Sequence, residues 1–174
     1  WNAADSSPLG GPLKHANHVY SVMFSPDGKT ILTGCKDNTA RLWNAKTGEP
    51  IGEPMTHPNW VHAAVYSPDG ATILTGCEDG ASRLWNAATR ELIGDPIPHR
   101  GPVKAVAFNP DGSKFLTGTW DDRTARLWNA KTREPLGPPL AHQEHVLATA
   151  FSPDGKTIAT GAWDGTARLW EVAT

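Results

Sequence analysis

The chain repeats itself. Trp1, Trp43, Trp85, Trp128 and Trp170 are spaced by 42, 42, 43 and 42 residues. Each unit passes the same stations in the same order: a His, an alternating apolar stretch, a Pro-Asp-Gly turn, Thr-Gly, an Asp, and Ala-Arg-Leu-Trp or Ser-Arg-Leu-Trp. Units of this length fold by stacking, because one unit alone cannot bury its apolar faces. The 17 glycines and 15 prolines recur largely at fixed stations of the unit, so they mark turns and not disorder.

Within each unit the pattern reads as strands. Val19 to Phe24, Val61 to Tyr66, Val103 to Phe108 and Val146 to Phe151 are short, β-branched or aromatic, and end at Ser-Pro-Asp-Gly or Asn-Pro-Asp-Gly. Pro26, Pro68, Pro110 and Pro153 preset φ, and Gly28, Gly70, Gly112 and Gly155 accept a positive φ. Second strands are expected at Thr30 to Gly34, Thr72 to Gly76, Lys114 to Gly118 and Thr157 to Gly161, and third strands at the Arg-Leu-Trp segments. A weaker fourth strand is expected on the Pro-Leu-Gly or Pro-Ile-Gly stretches, where proline suits an outer edge.

On these residues the chain resembles the WD-repeat family, in its highly repetitive bacterial form, over nearly its whole length. The resemblance implies an all-β fold: a β-propeller of four-stranded antiparallel blades, with residues 1–174 forming one propeller segment. Its four repeats fall at about 14–55, 56–97, 98–140 and 141–174. An outer strand at 8–13 precedes any inner set, and in the family such an offset lets it close the last blade, of its own chain or of a partner. Four blades closing alone need about 90° between neighbours, a poor match to flat blade packing. The expectation is therefore a homodimer forming an eight-bladed ring, the alternative being blades that lie outside this chain. The start at Trp1, inside the pattern, suggests a segment of something longer.

Four residue sets invite a catalytic reading: His15, His57, His99 and His142; Thr33, Thr75, Thr117 and Thr160; Asp37, Asp79, Asp121 and Asp164; and Trp43, Trp85, Trp128 and Trp170. Hydroxyl, imidazole and carboxylate are the parts of a nucleophilic triad. An active site is single, whereas this set occurs four times. The resemblance implies instead a structural hydrogen-bonded chain from Trp to Thr to His to Asp. In the third repeat an extra residue in Trp120-Asp121-Asp122-Arg123 makes the choice depend on direction: counting from His99 selects Asp121, counting back from Trp128 selects Asp122. Asp121 is taken here. Asn2, Asn44, Asn86, Asn129 and Glu171 stand where the family has the Asp of its Trp-Asp pair, a position that tolerates variation.

A net charge of −2 and a pI near 6.4 give no general pull toward nucleic acid, and no apolar run is long enough for a membrane span. Cys35 and Cys77 occupy equivalent places in adjacent repeats, too far apart for a disulfide; as free buried thiols they fit a reducing compartment, and the cytoplasm is the expected location. His15 with His18, and His142 with His145, have close spacing but no Cys or acid partners beside them, so neither metal nor cofactor is expected. Arg41, Arg83, Arg126 and Arg168 come once per unit and make no phosphate-binding patch.

The family usually binds partners on the face that carries the loops from outer to first strand and from second to third. The variable positions there are His18, Tyr20, Lys36, Trp60, His62, Glu78, Lys104, Trp120, His145 and Trp163. Trp60, Trp120 and Trp163 are not required by the repeat, and exposed aromatics of this kind suit recognition. The expected function is a non-catalytic scaffold for a protein or peptide. The alternative is a self-assembling propeller fragment with a structural role and no partner of its own.

Overall fold

The computed structural model describes residues 11–172. Its local unit is the Pro-Asp-Gly turn. Gly28 N donates to Ser25 O at 2.9 Å with Gly28 at φ 70°, while Asp27 Oδ1 accepts from the Ser25 hydroxyl and from Lys29 N at 2.7 and 3.0 Å. This turn reverses β1 (Val19–Phe24) into β2 (Thr30–Cys35), and β3 (Thr39–Asn44) and β4 (Met55–Thr56) follow. The next units repeat the order: β5 (Val61–Tyr66), β6 (Thr72–Cys77), β7 (Ala81–Asn86), β8 (Ile97–Pro98); then β9 (Val103–Phe108), β10 (Lys114–Thr119), β11 (Thr124–Asn129), β12 (Leu140–Ala141). β13 (Val146–Phe151), β14 (Thr157–Ala162) and β15 (Ala167–Glu171) end the series.

These strands form four antiparallel meanders, the blades of a β-propeller. Blades 1 to 3 have four strands each, and blade 4 has three among the described residues. The expected strand at 8–13 lies mostly outside those residues, and 11–13 carry no ladder. The outer strands lie later than the sequence suggests. Pro50, Leu92 and Pro135 each form one isolated bridge to the blade's Trp, and the regular outer pairing begins only at Met55, Ile97 and Leu140. The cause is Gly52, Gly94 and Gly137, whose positive φ (63°, 66° and 72°) turns the chain out of the ladder.

The core sits in the seams between blades. Leu32, Ala40 and Leu42 of blade 1 meet Val61, Ala64, Tyr66, Ile73 and Trp85 of blade 2; Leu74 and Leu84 meet Val103, Val106, Phe115 and Trp128; Leu116 and Leu127 meet Ile158. Each seam is keyed by a valine over a glycine. A Cβ on Gly34 would lie 3.0 Å from Val61 Cγ1, one on Gly76 would lie 2.8 Å from Val103 Cγ1, and one on Gly118 would lie 3.0 Å from Val146 Cγ1. Those three valines are 0% exposed, and each stabilises its seam by about 1.5–3 kcal/mol. The equivalent Val19 is 45% exposed, Val22 and Phe24 of the same strand are open, and Leu169 at the other end is 77% exposed. Among the described residues, both end faces of the four-blade stack therefore carry exposed apolar side chains.

Candidate partner-binding face and its supporting network

Blades 1 and 4 contain a continuous chain of side-chain bonds. In blade 1, Trp43 Nε1 donates to Thr33 Oγ1 at 2.9 Å, His15 Nε2 lies 2.7 Å from the same oxygen, and His15 Nδ1 lies 3.2 Å from Asp37 Oδ2. The corresponding distances in blade 4, through Trp170, Thr160, His142 and Asp164, are 2.8, 2.6 and 3.1 Å. With Nδ1 donating to the carboxylate, Nε2 accepts from the threonine hydroxyl. The second carboxylate oxygen is held by a threonine two residues on: Thr39 Oγ1 donates to Asp37 at 2.5 Å, and Thr166 Oγ1 to Asp164 at 2.6 Å. Burial pushes Asp37 up, but bonds from Thr39, Ala16 N and His15 outweigh it and hold the carboxyl at about 2. The hydroxyl of Thr166 and the backbone N–H of Gln143 likewise hold Asp164 well below the usual carboxylate range.

Blade 2 breaks the chain at its end. His57 Nε2 reaches Thr75 at 2.8 Å and Trp85 Nε1 donates to Thr75 at 3.0 Å, but His57 Nδ1 faces Met55 O at 3.0 Å and not Asp79. Asp79 is occupied by Arg83, at 3.1 and 2.6 Å. The residue two past Asp79 is Ala81, which has no hydroxyl. In blade 1 Thr39 both fills its Asp and takes Arg41 Nε at 3.0 Å, so that Arg41 Nη2 reaches the carboxylate only at a long 3.4 Å, beside His15 on the same oxygen. Burial, with the charge of Arg83, pushes His57 down to about 4.

Blade 3 breaks it in the middle. Trp128 Nε1 donates to Thr117 at 2.9 Å, but His99 Nε2 turns back to Ser82 Oγ of blade 2 at 3.0 Å. The carboxylate in the network position is Asp122, not Asp121: it bonds the Thr119 hydroxyl and accepts from Thr124 N at 3.3 Å. Asp122 lies six residues before Trp128, as Asp37 does before Trp43, so the β10–β11 ladder sets the register and the extra residue is absorbed on the His side. Asp121 packs against Gly101. His99 Nδ1 and Thr124 Oγ1 are left buried without partners, and burial pushes His99 down to about 4.

Arg83, Ala81, Thr39 and Thr166 thus decide the network, none of them among the network residues that the repeat pattern named, together with Asp122, the residue that counting back from Trp128 selects. One cluster among the described residues has ligand atoms close enough for a metal: those of His15, Cys35 and Asp37 lie within 4.8 Å of one another. Each is already bonded, Cys35 Sγ to Asn17 O and Asp37 N at 3.3 Å each, and burial pushes its thiol pKa up. Both cysteines are free and buried.

The network anchors the loops of one face, where the variable residues form a belt across the blades. Tyr20 packs on His62 (ring centroids 4.8 Å apart), and Trp60 meets His62 edge-on at 6.3 Å with Lys36 Nζ 4.1 Å above the Trp60 ring. His62 Nε2 lies 2.6 Å from Glu78 Oε2, and Lys104 Nζ sits 2.7 Å from that oxygen and 2.9 Å from His62. Lys104 also lies 5.0 Å above Trp120, which stacks on His145 at 4.2 Å and 15° and meets Trp163 at 4.7 Å. Burial lowers His62, and the bonds from Lys104 and His62 overcome burial to lower Glu78. Nine of the ten variable positions join this belt; His18 is exposed and stands outside it.

The family profile for the WD domain, G-beta repeat, matches residues 9–44, 48–86, 91–129 and 134–171. No curated protein sequence matches the chain. Among solved structures it is similar to the crystal structure of the computationally designed Ika4 protein, with 23% identity, a TM-score of 0.84, and coverage of 97% of this chain and 99% of that one. At that identity the likeness speaks to the propeller fold alone.

Proposed function

The chain belongs to the WD-repeat family, and from that premise we propose that it is a non-catalytic scaffold whose belt from Tyr20 to Trp163 binds a protein or peptide segment. The observation that carries this reading is the continuity of the belt. All four repeats supply side chains to it, none of those side chains is needed by the repeat frame, and they touch one another across blade seams. Preassembled aromatic, imidazole and ammonium groups offer contact area at small ordering cost. A net charge of −2 favours such a partner over a nucleic acid. Two free buried thiols fit a reducing compartment such as the cytoplasm.

We infer further that residues 1–174 act as half of an eight-bladed ring closed by a second copy, with segment 8–13 of each copy completing the other's blade 4. Among the described residues, the three-stranded blade 4 and the two apolar end faces support this. An assembly that captures nothing would leave only the self-assembling structural role. The test is selection from a displayed peptide library, followed by the Trp120→Ala/Lys104→Ala variant. Selected peptides should lose roughly tenfold or more in affinity while the unfolding midpoint stays close to the parent. Failure to select any peptide, or affinity unchanged in the variant, contradicts the scaffold reading.

A further inference from the structure

The internal seams repeat two contacts at fixed spacing. In the first, a valine of one blade covers a glycine of the blade before: Val61 on Gly34, Val103 on Gly76, Val146 on Gly118. In the second, on the belt face, the residue ahead of the turn aspartate reaches a residue flanking that valine: Lys36 over Trp60, Glu78 to Lys104, Trp120 on His145. Both series run one step past the chain at each end. The next glycine is Gly161, where a Cβ would meet only Ala148 of its own blade, at 3.5 Å. The unused valine is Val19, 45% exposed. The next belt residue is Trp163, 61% exposed, and the unused flanking residue is His18, also exposed.

We propose that two copies join by repeating these seams: Val19 of one copy seats on Gly161 of the other, and Trp163 stacks on His18 of the second copy as Trp120 stacks on His145. This rests on the ring reading above. It explains why His18 alone of the variable positions stands outside the belt within one chain. It also makes the belt composite, because its aromatic end at Trp120, His145 and Trp163 continues onto His18, Tyr20 and His62 of the second copy. Two-fold symmetry gives two such junctions per ring, so one substitution acts twice. The apolar end faces are the same surfaces that blades 2 and 3 bury internally, which is why a second copy fits them.

The test uses the full chain. Trp163→Cys and His18→Cys proteins are mixed and treated with a short bismaleimide, with each protein alone as control and mass in solution read in parallel. The native thiols are buried. Cross-linked dimer in the mixture and not in either control is expected. A dimeric mass without that cross-link overturns the junction and leaves the ring standing; a monomeric mass overturns both. Gly161→Val gives an independent reading, since its position is open within the chain and its φ is not positive. It should weaken the dimer by roughly a hundredfold while leaving the chain folded, because a side chain there occupies the seat of Val19. An unchanged dimer affinity overturns the proposal.

Discussion

Blades 1 and 2 carry the same Thr-Gly-Cys-x-Asp frame with His and Trp at the same spacing, yet blade 1 completes its bonded chain and blade 2 does not. The difference traces to one side chain. Thr39 fills one oxygen of Asp37 and engages Arg41 Nε, so that Arg41 reaches the other oxygen only at 3.4 Å and shares it with His15; Ala81 can do neither, and Arg83 takes both oxygens of Asp79. A repeated motif therefore fixes which groups are near one another, while a neighbour outside the motif decides which of them bond.

The largest expected effect comes from removing the two aspartates. Asp79→Ala leaves the guanidinium of Arg83, 8% exposed, without its partner and should cost about 3 kcal/mol, recovered by Arg83→Leu and not by His57→Gln. Asp37→Ala should cost about 2 kcal/mol and couple to His15 in a double-mutant cycle by urea unfolding. Equal coupling of His57 to Asp79 would erase the distinction between the blades.

Acid sharpens the comparison next. His57 and His99 fall from 6.5 to about 4 in the folded chain, so the unfolded chain binds protons first. Their contribution is fully present above pH 6.5 and is lost as the pH falls toward 4, by about 2 kcal/mol per histidine. Asp37, lowered from 3.8 to about 2, acts only below that window. Unfolding free energies measured between pH 6.5 and 4.5 should lose most of their slope in a His57→Gln/His99→Gln variant; an undiminished slope would place the acid sensitivity elsewhere.

The strands were legible in the sequence because Pro-Asp-Gly closes each first hairpin, and alternation names the rest: Val19–Phe24 and its three counterparts carry the expected bounds. The Trp-to-Thr bond, implied by the family resemblance, joins adjacent strands of one ladder and forms in all four blades. The His and Asp ends form as expected in blades 1 and 4 and depart in blades 2 and 3, because both sit on loops where one residue changes the outcome. Asp122 and not Asp121 takes the network position because the ladder counts from Trp128. The outer strands were placed early because the αL glycines behind them read as strand. Positions of the belt could be named from their variation, but its contacts join residues up to 43 apart, as with Trp120 and Trp163, and only the blade stack brings them together.

Two smaller effects probe the breaks directly. Deleting Asp121 should return Asp122 to His99 and give Thr124 a partner, raising stability by about 1–2 kcal/mol, whereas a loss would show that the insertion supports the turn. Ala81→Thr should stabilise by about 0.5–1 kcal/mol and raise the His57 pKa, read by the imidazole resonances. A His57 titration unchanged by the new hydroxyl would mean that Arg83 holds Asp79 regardless.

The central proposal is that these blades are complete only when pressed between like blades, so that a second copy covers the apolar faces that the described residues present at both ends of the stack. Sedimentation equilibrium at micromolar concentration measures this directly. A single species at twice the 18.7 kDa chain mass is the predicted result, and a stable, monodisperse species at the mass of one chain would contradict it.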